Sequence, residues 1–176
     1  QLERQVEFDH LSERVVIEWG KAALSWHQHL VNKPIIEIIA PGRRLPGFRD
    51  YLDFILTYDE LQTLFSSPES HYDWRASLSS VAGVYLVLDT HTGNQYVGSA
   101  YGSKGIWGRW QEYCPHGHGG NKLLKELVDT DNRYPDAFQF SILQVLPKST
   151  KDSEVIRWEG LYKSKLGSRT FGLNAN

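Results

Sequence analysis

A single glutamate interrupts the apolar face of a strongly patterned segment. Between residues 151 and 166, apolar positions recur at helical spacing, and one stripe contains Val155, Trp158, Glu159 and Tyr162. A carboxylate in such a stripe needs a partner or a metal ion, because an ionised group without either is costly to remove from water. Glu159 therefore either pairs with an arginine at the rim of the core or binds a divalent cation.

Arg109 and Tyr113 lie four residues apart on a second predicted helix, residues 104–114, and so share one face. The guanidinium has a permanent charge and a planar set of donors, which suits it to hold two phosphate oxygens while negative charge develops on them. The alternative is a surface arginine that pairs with Glu112 or Asp89.

Two tyrosines occupy a predicted β-hairpin. The apolar runs 81–88 and 95–100 flank a cluster of turn-forming residues, 89–94. The first run contains Gly83-Val84-Tyr85, and the second contains Tyr96-Val97-Gly98. Tyrosine is common in strands and a ring beside a glycine is common in packing, so the hairpin alone does not assign chemistry.

The two tripeptides of the hairpin resemble the paired elements that give the GIY-YIG endonucleases their name. The resemblance covers residues 81–176 and includes polar residues in the family's order, namely Arg109, Tyr113, Glu159 and Asn174. It implies a metal-dependent DNA endonuclease in which Glu159 binds one Mg²⁺ or Mn²⁺ ion and Arg109 binds the scissile phosphate.

The resemblance also implies roles for the remaining site residues. We expect Tyr85 to act as a general base, assisted by Tyr96 or Tyr113, and Asn174 to orient groups of the site or contact the phosphate. A free phenol has a pKa of about 10, so this hypothesis needs Arg109 to lower the pKa of Tyr85. Several relatives have a lysine soon after the second tripeptide, where this chain has Ser99-Ala100-Tyr101.

Other residues are candidates for substrate contact. Lys104 is a candidate for the positive charge that is missing at residue 99. The segment 116–121 contains two histidines and three glycines, which favours a flexible turn over a metal site, and His118 is the better candidate of its two histidines. Arg43 and Arg44 lie in a predicted loop and are candidates for phosphate contact.

The predicted elements that position these residues form an α/β fold of the α+β type. From residue 81 the predicted order is β-β-α-α-β-α, which agrees with the small, mainly antiparallel three-stranded sheet flanked by helices that the resemblance implies. For residues 1–80 we expect a separate α/β region. Its predicted elements are a long helix 8–30, strands 34–40 and 51–57, a short helix after the capping-box pattern Thr57 to Glu60, and a connection 74–78.

Composition limits the class of protein. The chain has 176 residues, 40% of them hydrophobic, and a net charge of −2. Residues 1–80 contain eight basic and twelve acidic residues, giving −4, and residues 81–176 contain eleven and nine, giving +2. The lone Cys114 cannot form an internal disulfide, and no apolar stretch is long enough to span a bilayer. We therefore expect a soluble, cytoplasmic protein, and since it has no methionine, we expect the natural chain to begin before Gln1.

Several functions fit these patterns. DNA is the expected partner, with a homodimer or a protein bound through residues 1–80 as further candidates. The sequence ends with the matching segment at Asn176, whereas homing relatives tend to continue into a DNA-binding region, so we expect restriction or another defence role. The alternatives are a repair or structure-specific nuclease, a nucleic-acid-binding module that has lost catalysis, and a protein-interaction domain in residues 1–80.

Overall fold

The computed structural model describes residues 6–11, 14–20, 32–38 and 45–175. Its main feature is a four-stranded antiparallel sheet in the order β3-β6-β4-β5. The strands are β3 (Leu56–Thr57), β4 (Val81–Asp89), β5 (Gln95–Ala100) and β6 (Phe138–Pro147). The predicted fold class is confirmed, and the sheet has four strands instead of three because β3 pairs with β6 through Leu56 and Phe140.

The N-terminal part differs from its prediction. A 3₁₀ helix, Val6–Leu11, precedes β1 (Val15–Ile17), which pairs antiparallel with β2 (Ile35–Ile38). The predicted long helix is therefore wrong over residues 14–17, where β-branched residues pair across strands and override the helical spacing. Residues 21–30 of that predicted helix, and Arg43 and Arg44, lie outside the described residues.

Five α-helices are present in the described ranges, and a second 3₁₀ helix, Tyr134–Ala137, precedes β6. The α-helices are α1 (Tyr58–Ser66), α2 (Tyr72–Ser79), α3 (Gly105–Gln111), α4 (Lys122–Thr130) and α5 (Asp152–Leu166). The capping box of α1 is confirmed, because Thr57 and Glu60 exchange hydrogen bonds at its start. The end of α5 is also confirmed, since Gly167 adopts a φ of 63° there.

Two predictions for residues 51–80 are corrected. The predicted strand over residues 51–57 shortens to Leu56–Thr57. The predicted connection at residues 74–78 lies within α2, whose Trp74 and Leu78 are one helical turn apart and both buried. Burial of this apolar pair on one face stabilises the short segment as a helix.

Helices cover both sides of the sheet. The larger core cluster joins α1, α2, α3 and α4 to one side of β4 and β6, where Tyr85, Val87 and Phe140 are fully buried. A smaller cluster places Val155 and Trp158 of α5 against Ala82 and Leu146. Residues 45–80 thus contribute a strand and two helices to the same sheet and core as the segment that follows them. Among the helices of the described residues, none combines the length and apolar character that crossing a bilayer requires.

Candidate active site

An open pocket of about 690 Å³ lies where β5, α3 and the middle of α5 meet. Its walls are mainly polar, and they contain four charged side chains together with tyrosine and serine hydroxyls. The lining side chains with polar or charged groups are Tyr96, Ser99, Tyr101, Ser103, Lys104, Arg109, Gln111, Glu112 and Glu159. Three residues selected from the sequence for catalysis, Tyr96, Arg109 and Glu159, therefore face one space.

The two glycines of the tripeptides permit close backbone packing behind this pocket. Tyr85 pairs with Gly98 across β4 and β5. A Cβ atom on Gly98 would lie 2.4 Å from the hydroxyl oxygen of Tyr85, and a Cβ on Gly83 would lie 2.3 Å from the carbonyl oxygen of Gln144. Both distances are too short for any side chain, so the Tyr85 ring requires glycine on the neighbouring strand.

A chain of hydrogen bonds connects the tyrosines. The Tyr85 and Tyr113 hydroxyls are 2.9 Å apart. Asn121 donates from Nδ2 to the Tyr113 hydroxyl at 2.8 Å and accepts at Oδ1 from the Tyr96 hydroxyl at 2.6 Å. Tyr85 and Tyr113, both fully buried, are therefore linked through one amide to Tyr96 on the pocket wall.

Arg109 connects this hydrogen-bonded chain to the pocket. Its Nε donates to the Tyr85 hydroxyl at 3.0 Å, and its guanidinium carbon lies 5.4 Å from the centre of the Tyr113 ring. Nη1 pairs with Glu112 one turn further along α3. The pairing with Glu112 anticipated for a surface arginine is thus present, while Asp89 instead accepts from Thr92 of the hairpin loop and from the Tyr134 hydroxyl.

The expectation that Arg109 brings the pKa of Tyr85 below that of a free phenol is not met. Burial raises the pKa of Tyr85, and the nearby Tyr96 adds to the rise, while Arg109 opposes it without cancelling it. Burial likewise raises the pKa of Tyr113 and that of Tyr96. Without a bound ion or substrate, all three are phenols at neutral pH, and Tyr85 lies out of contact with solvent.

Glu159 lines the pocket and already has two partners. Ser99 donates its hydroxyl proton to one carboxylate oxygen, and the Lys163 ammonium lies 2.6 Å from the other. Lys163 follows Glu159 by one helical turn and is only 3% exposed. Among the residues that the structure describes, no group of three or more histidine, cysteine, aspartate or glutamate side chains is arranged to hold a metal ion.

Asn174 binds the backbone of β5. Its Oδ1 accepts from the Val97 amide at 2.9 Å and from Ser168 at 2.6 Å, and its Nδ2 donates to the Val97 carbonyl at 2.8 Å. The side chain is 3% exposed and does not line the pocket. The structure therefore places this amide beside the strand that carries Tyr96.

The remaining described candidates occupy different places. Lys104 lines the pocket at the start of α3. His118 does not line it, but stacks on His116 and accepts from the Gly120 amide through Nδ1, and burial lowers its pKa. Gly119 packs against the Tyr113 ring, where a Cβ would lie 2.7 Å from ring carbons.

Asn121, Ser99 and Lys163 contact the site residues but were not assigned a site role from the sequence. Asn121 stands at the start of α4, a position where asparagine ordinarily caps a helix, so nothing local distinguishes it. Lys163 has the spacing of an ordinary helix ion pair with Glu159. The apolar stripe that singled out Glu159 is a signal for Lys163 as well, because an ionised glutamate in a core-facing stripe requires a nearby cation.

Comparisons with known proteins give partial similarities. No protein-family model and no curated protein matches the chain. One solved structure, the catalytic domain of the intron endonuclease I-TevI in a mutant form, has 22% identity and a TM-score of 0.42, and covers 55% of this chain and 94% of that one. Another, the catalytic domain of the homing endonuclease I-TevI, has 23% identity and a TM-score of 0.42, covering 54% and 98%. Both neighbours are forms of the I-TevI catalytic domain, and no activity or substrate follows for this chain from similarities of this size.

Proposed function

We propose that this protein is a metal-dependent DNA endonuclease that hydrolyses phosphodiester bonds in the pocket between β5, α3 and α5. The observation that carries the proposal is the convergence of Arg109, Tyr96 and Glu159 on one open, polar pocket. The resemblance of the two tripeptides to the GIY-YIG elements gives the same assignment from the sequence.

Arg109 is the group that binds the scissile phosphate. Phosphodiester hydrolysis builds negative charge on the phosphate oxygens, and a fixed guanidinium stabilises that charge without reorganisation. The bonds to Tyr85 and Glu112 fix the side chain, and donors of the planar guanidinium remain for the pocket. Lys104, on the same wall, adds attraction for the DNA backbone.

Tyr96 is the phenol that contacts the attacking water, because it lines the pocket whereas Tyr85 is fully buried. Its proton is bonded to the Asn121 carbonyl oxygen, which leaves the lone pairs of the hydroxyl to accept a hydrogen bond from water. Tyr85 and Tyr113 then act as positioning residues, which hold Arg109 and Asn121 in place.

The residues fit a single divalent ion bound with help from the substrate. Mg²⁺ is commonly held by one or two carboxylates together with water and substrate phosphates, and Glu159 presents one carboxylate in the pocket wall. A bound Mg²⁺ or Mn²⁺ would supply charge stabilisation at the phosphate and at the leaving oxygen. Ser99 fixes one oxygen of the Glu159 carboxylate, so the group has a defined orientation before substrate arrives.

A second candidate function is binding of nucleic acid without cleavage. The observation in its favour is that the Glu159 carboxylate is already paired with the Lys163 ammonium at 2.6 Å. In that case the pocket would bind backbone phosphates through Arg109 and Lys104, and the glutamate would have a structural role.

Plasmid nicking separates the two functions. Purified protein is incubated with supercoiled plasmid, and with oligonucleotide duplexes, forks and single strands, in Mg²⁺, Mn²⁺ or EDTA. We expect metal-dependent cleavage that falls at least a hundredfold, about 3 kcal/mol in activation free energy, in Glu159→Gln and in Arg109→Ala. Glu154→Gln, an exposed carboxylate on the same helix, is the matched control and is expected to cleave normally.

DNA binding without cleavage by the wild-type protein in every metal would exclude the endonuclease and support the binding module. Comparison of the cleavage rates on the different substrates distinguishes a defence-type activity, which cuts duplex DNA, from a repair-type activity, which cuts forks. If each chain has one catalytic pocket, both strands are cut either by two chains acting together or by one chain in two successive events. The time course of nicked and linear plasmid therefore also tests for a homodimer. A protein partner bound through residues 1–80 stays a separate proposal.

A further inference from the structure

Lys163 is an unusually buried lysine at the proposed metal ligand. Lysine is almost never fully buried unless it is paired, and here the side chain is 3% exposed. Its ammonium lies 2.6 Å from one oxygen of Glu159, while Ser99 holds the other oxygen. A protein cation therefore stands beside the carboxylate that a divalent ion would use.

The charges around the pocket disfavour a free divalent ion. Among the lining residues, the positive charges of Lys104 and Arg109 balance the negative charges of Glu112 and Glu159. Lys163, which pairs with Glu159 from behind the wall, adds one positive charge. An ion that approaches Glu159 thus meets a site with net positive charge and a nearby ammonium.

A DNA phosphate changes this balance. Bound against Arg109, it brings negative charge and ligand oxygens to the same space, and Mg²⁺ characteristically uses substrate phosphate as part of its coordination. Since coupling between two binding events is reciprocal, an ion that binds better with DNA present also tightens the binding of DNA.

We infer that Lys163 makes divalent-cation binding at Glu159 conditional on bound DNA. The free protein binds the ion weakly because the ammonium competes for the carboxylate, and the ion binds firmly once a backbone phosphate enters the pocket. This inference rests on the proposed function in taking Glu159 as the ligand of the ion used in cleavage.

The test measures Mn²⁺ binding to the free protein by isothermal titration calorimetry at pH 8. We expect Lys163→Gln and Lys163→Met to bind Mn²⁺ at least about tenfold more tightly than the wild type, since removal of a unit charge beside a carboxylate favours the ion. Lys165→Gln, an exposed lysine in the same helical turn, is the matched control and is expected to leave the affinity unchanged. Equal Mn²⁺ affinity in the wild type and both Lys163 variants would overturn the inference.

A second measurement uses the wild-type protein alone, and it tests the coupling between ion and DNA that the inference requires even if both variants fail to fold. Binding of a fluorescent phosphorothioate duplex, which resists hydrolysis, is followed by anisotropy with Mn²⁺ and with EDTA. Tightening by about tenfold or more with Mn²⁺ supports the coupling, and equal affinity overturns it. Neither measurement depends on cleavage, so a failure of the endonuclease proposal in the plasmid assay is distinguishable from a failure of this one.

Discussion

At the residue scale, the site depends on an amide that links two tyrosines. Asn121 contacts Tyr96 and Tyr113 at 2.6 and 2.8 Å, and it stands 25 residues along the chain from Tyr96. The sequence resemblance selects the tyrosines, Arg109 and Glu159, but a hydrogen bond between distant segments leaves no local pattern. For this reason Asn121 emerges only from the folded structure, whereas Lys163 has a local signal in its spacing of four residues from Glu159.

Asn121→Ala tests whether the amide positions Tyr96 for the reaction. We expect kcat for DNA cleavage to fall about tenfold with little change in KM, because one or two hydrogen bonds of about 1 kcal/mol each are lost from the groups that orient the phenol. Lys122→Ala, at the exposed next residue, is the control. Unchanged kcat with a lowered unfolding midpoint would show that the amide is structural only.

The buried tyrosines also make the stability of the folded protein depend on pH in the alkaline range. Burial raises the pKa of Tyr85 in the folded chain, while the unfolded chain keeps a value of about 10. The contribution of Tyr85 to stability is therefore fully present below pH 10 and is lost as the pH rises further. In urea unfolding between pH 8 and 11, we expect the midpoint of the wild type to fall more steeply than that of Tyr85→Phe. Parallel curves for the two proteins would contradict this.

At the element scale, the sequence predicted helices and turns correctly where the residues that fix them lie within the element or next to it. The capping box of α1, the glycine after α5 and the turn residues between β4 and β5 act within a few residues, and each is present in the structure. The helix predicted over residues 8–30 failed at β1, whose partner β2 lies about 20 residues away. The spacing of apolar residues within one segment does not reveal a strand partner at that distance.

Substitutions at two glycines test the packing of these elements, because they should change the unfolding free energy in opposite directions. Gly98→Ala puts a Cβ 2.4 Å from the Tyr85 hydroxyl, and we expect a loss of about 1–3 kcal/mol in unfolding free energy from overpacking. Gly160→Ala on α5 meets no atom within 4 Å, and we expect a gain of about 0.5–1 kcal/mol from helix propensity. Urea unfolding monitored by circular dichroism measures both. Similar effects of the two substitutions would mean that close approach at Gly98 does not control the hairpin.

At the scale of the whole molecule, residues 45–80 are built into the same core as the pocket-bearing segment. Leu61, Leu64 and Leu78 are fully buried beside Tyr85 and Trp110, and β3 extends the sheet. The resemblance begins at residue 81 because it follows motif residues, and core contacts between α1, α2 and α3 carry no motif.

Truncation measures this difference between motif and fold. We expect a chain that begins at residue 45 to unfold cooperatively, and a chain that begins at residue 81 to lose its cooperative transition, because it lacks the three buried leucines and β3. Thermal melts followed by circular dichroism and tryptophan fluorescence give the comparison. A cooperative transition in the chain that begins at residue 81 would show that α1 and α2 are dispensable for folding.

The contact of Asn174 with β5 has a consequence for how copies of this protein behave beside one another. β5 ends the sheet, and an uncovered terminal strand offers its amide and carbonyl groups as a template for association. Asn174 occupies both groups of Val97, and the Leu173 amide donates to the carbonyl of Gln95, as a neighbouring strand would. At the opposite side, β3 is only two residues long. The sheet is thus protected at both margins from edge-to-edge aggregation, and Asn174, which the sequence resemblance predicts as a site residue, covers the outer edge of β5.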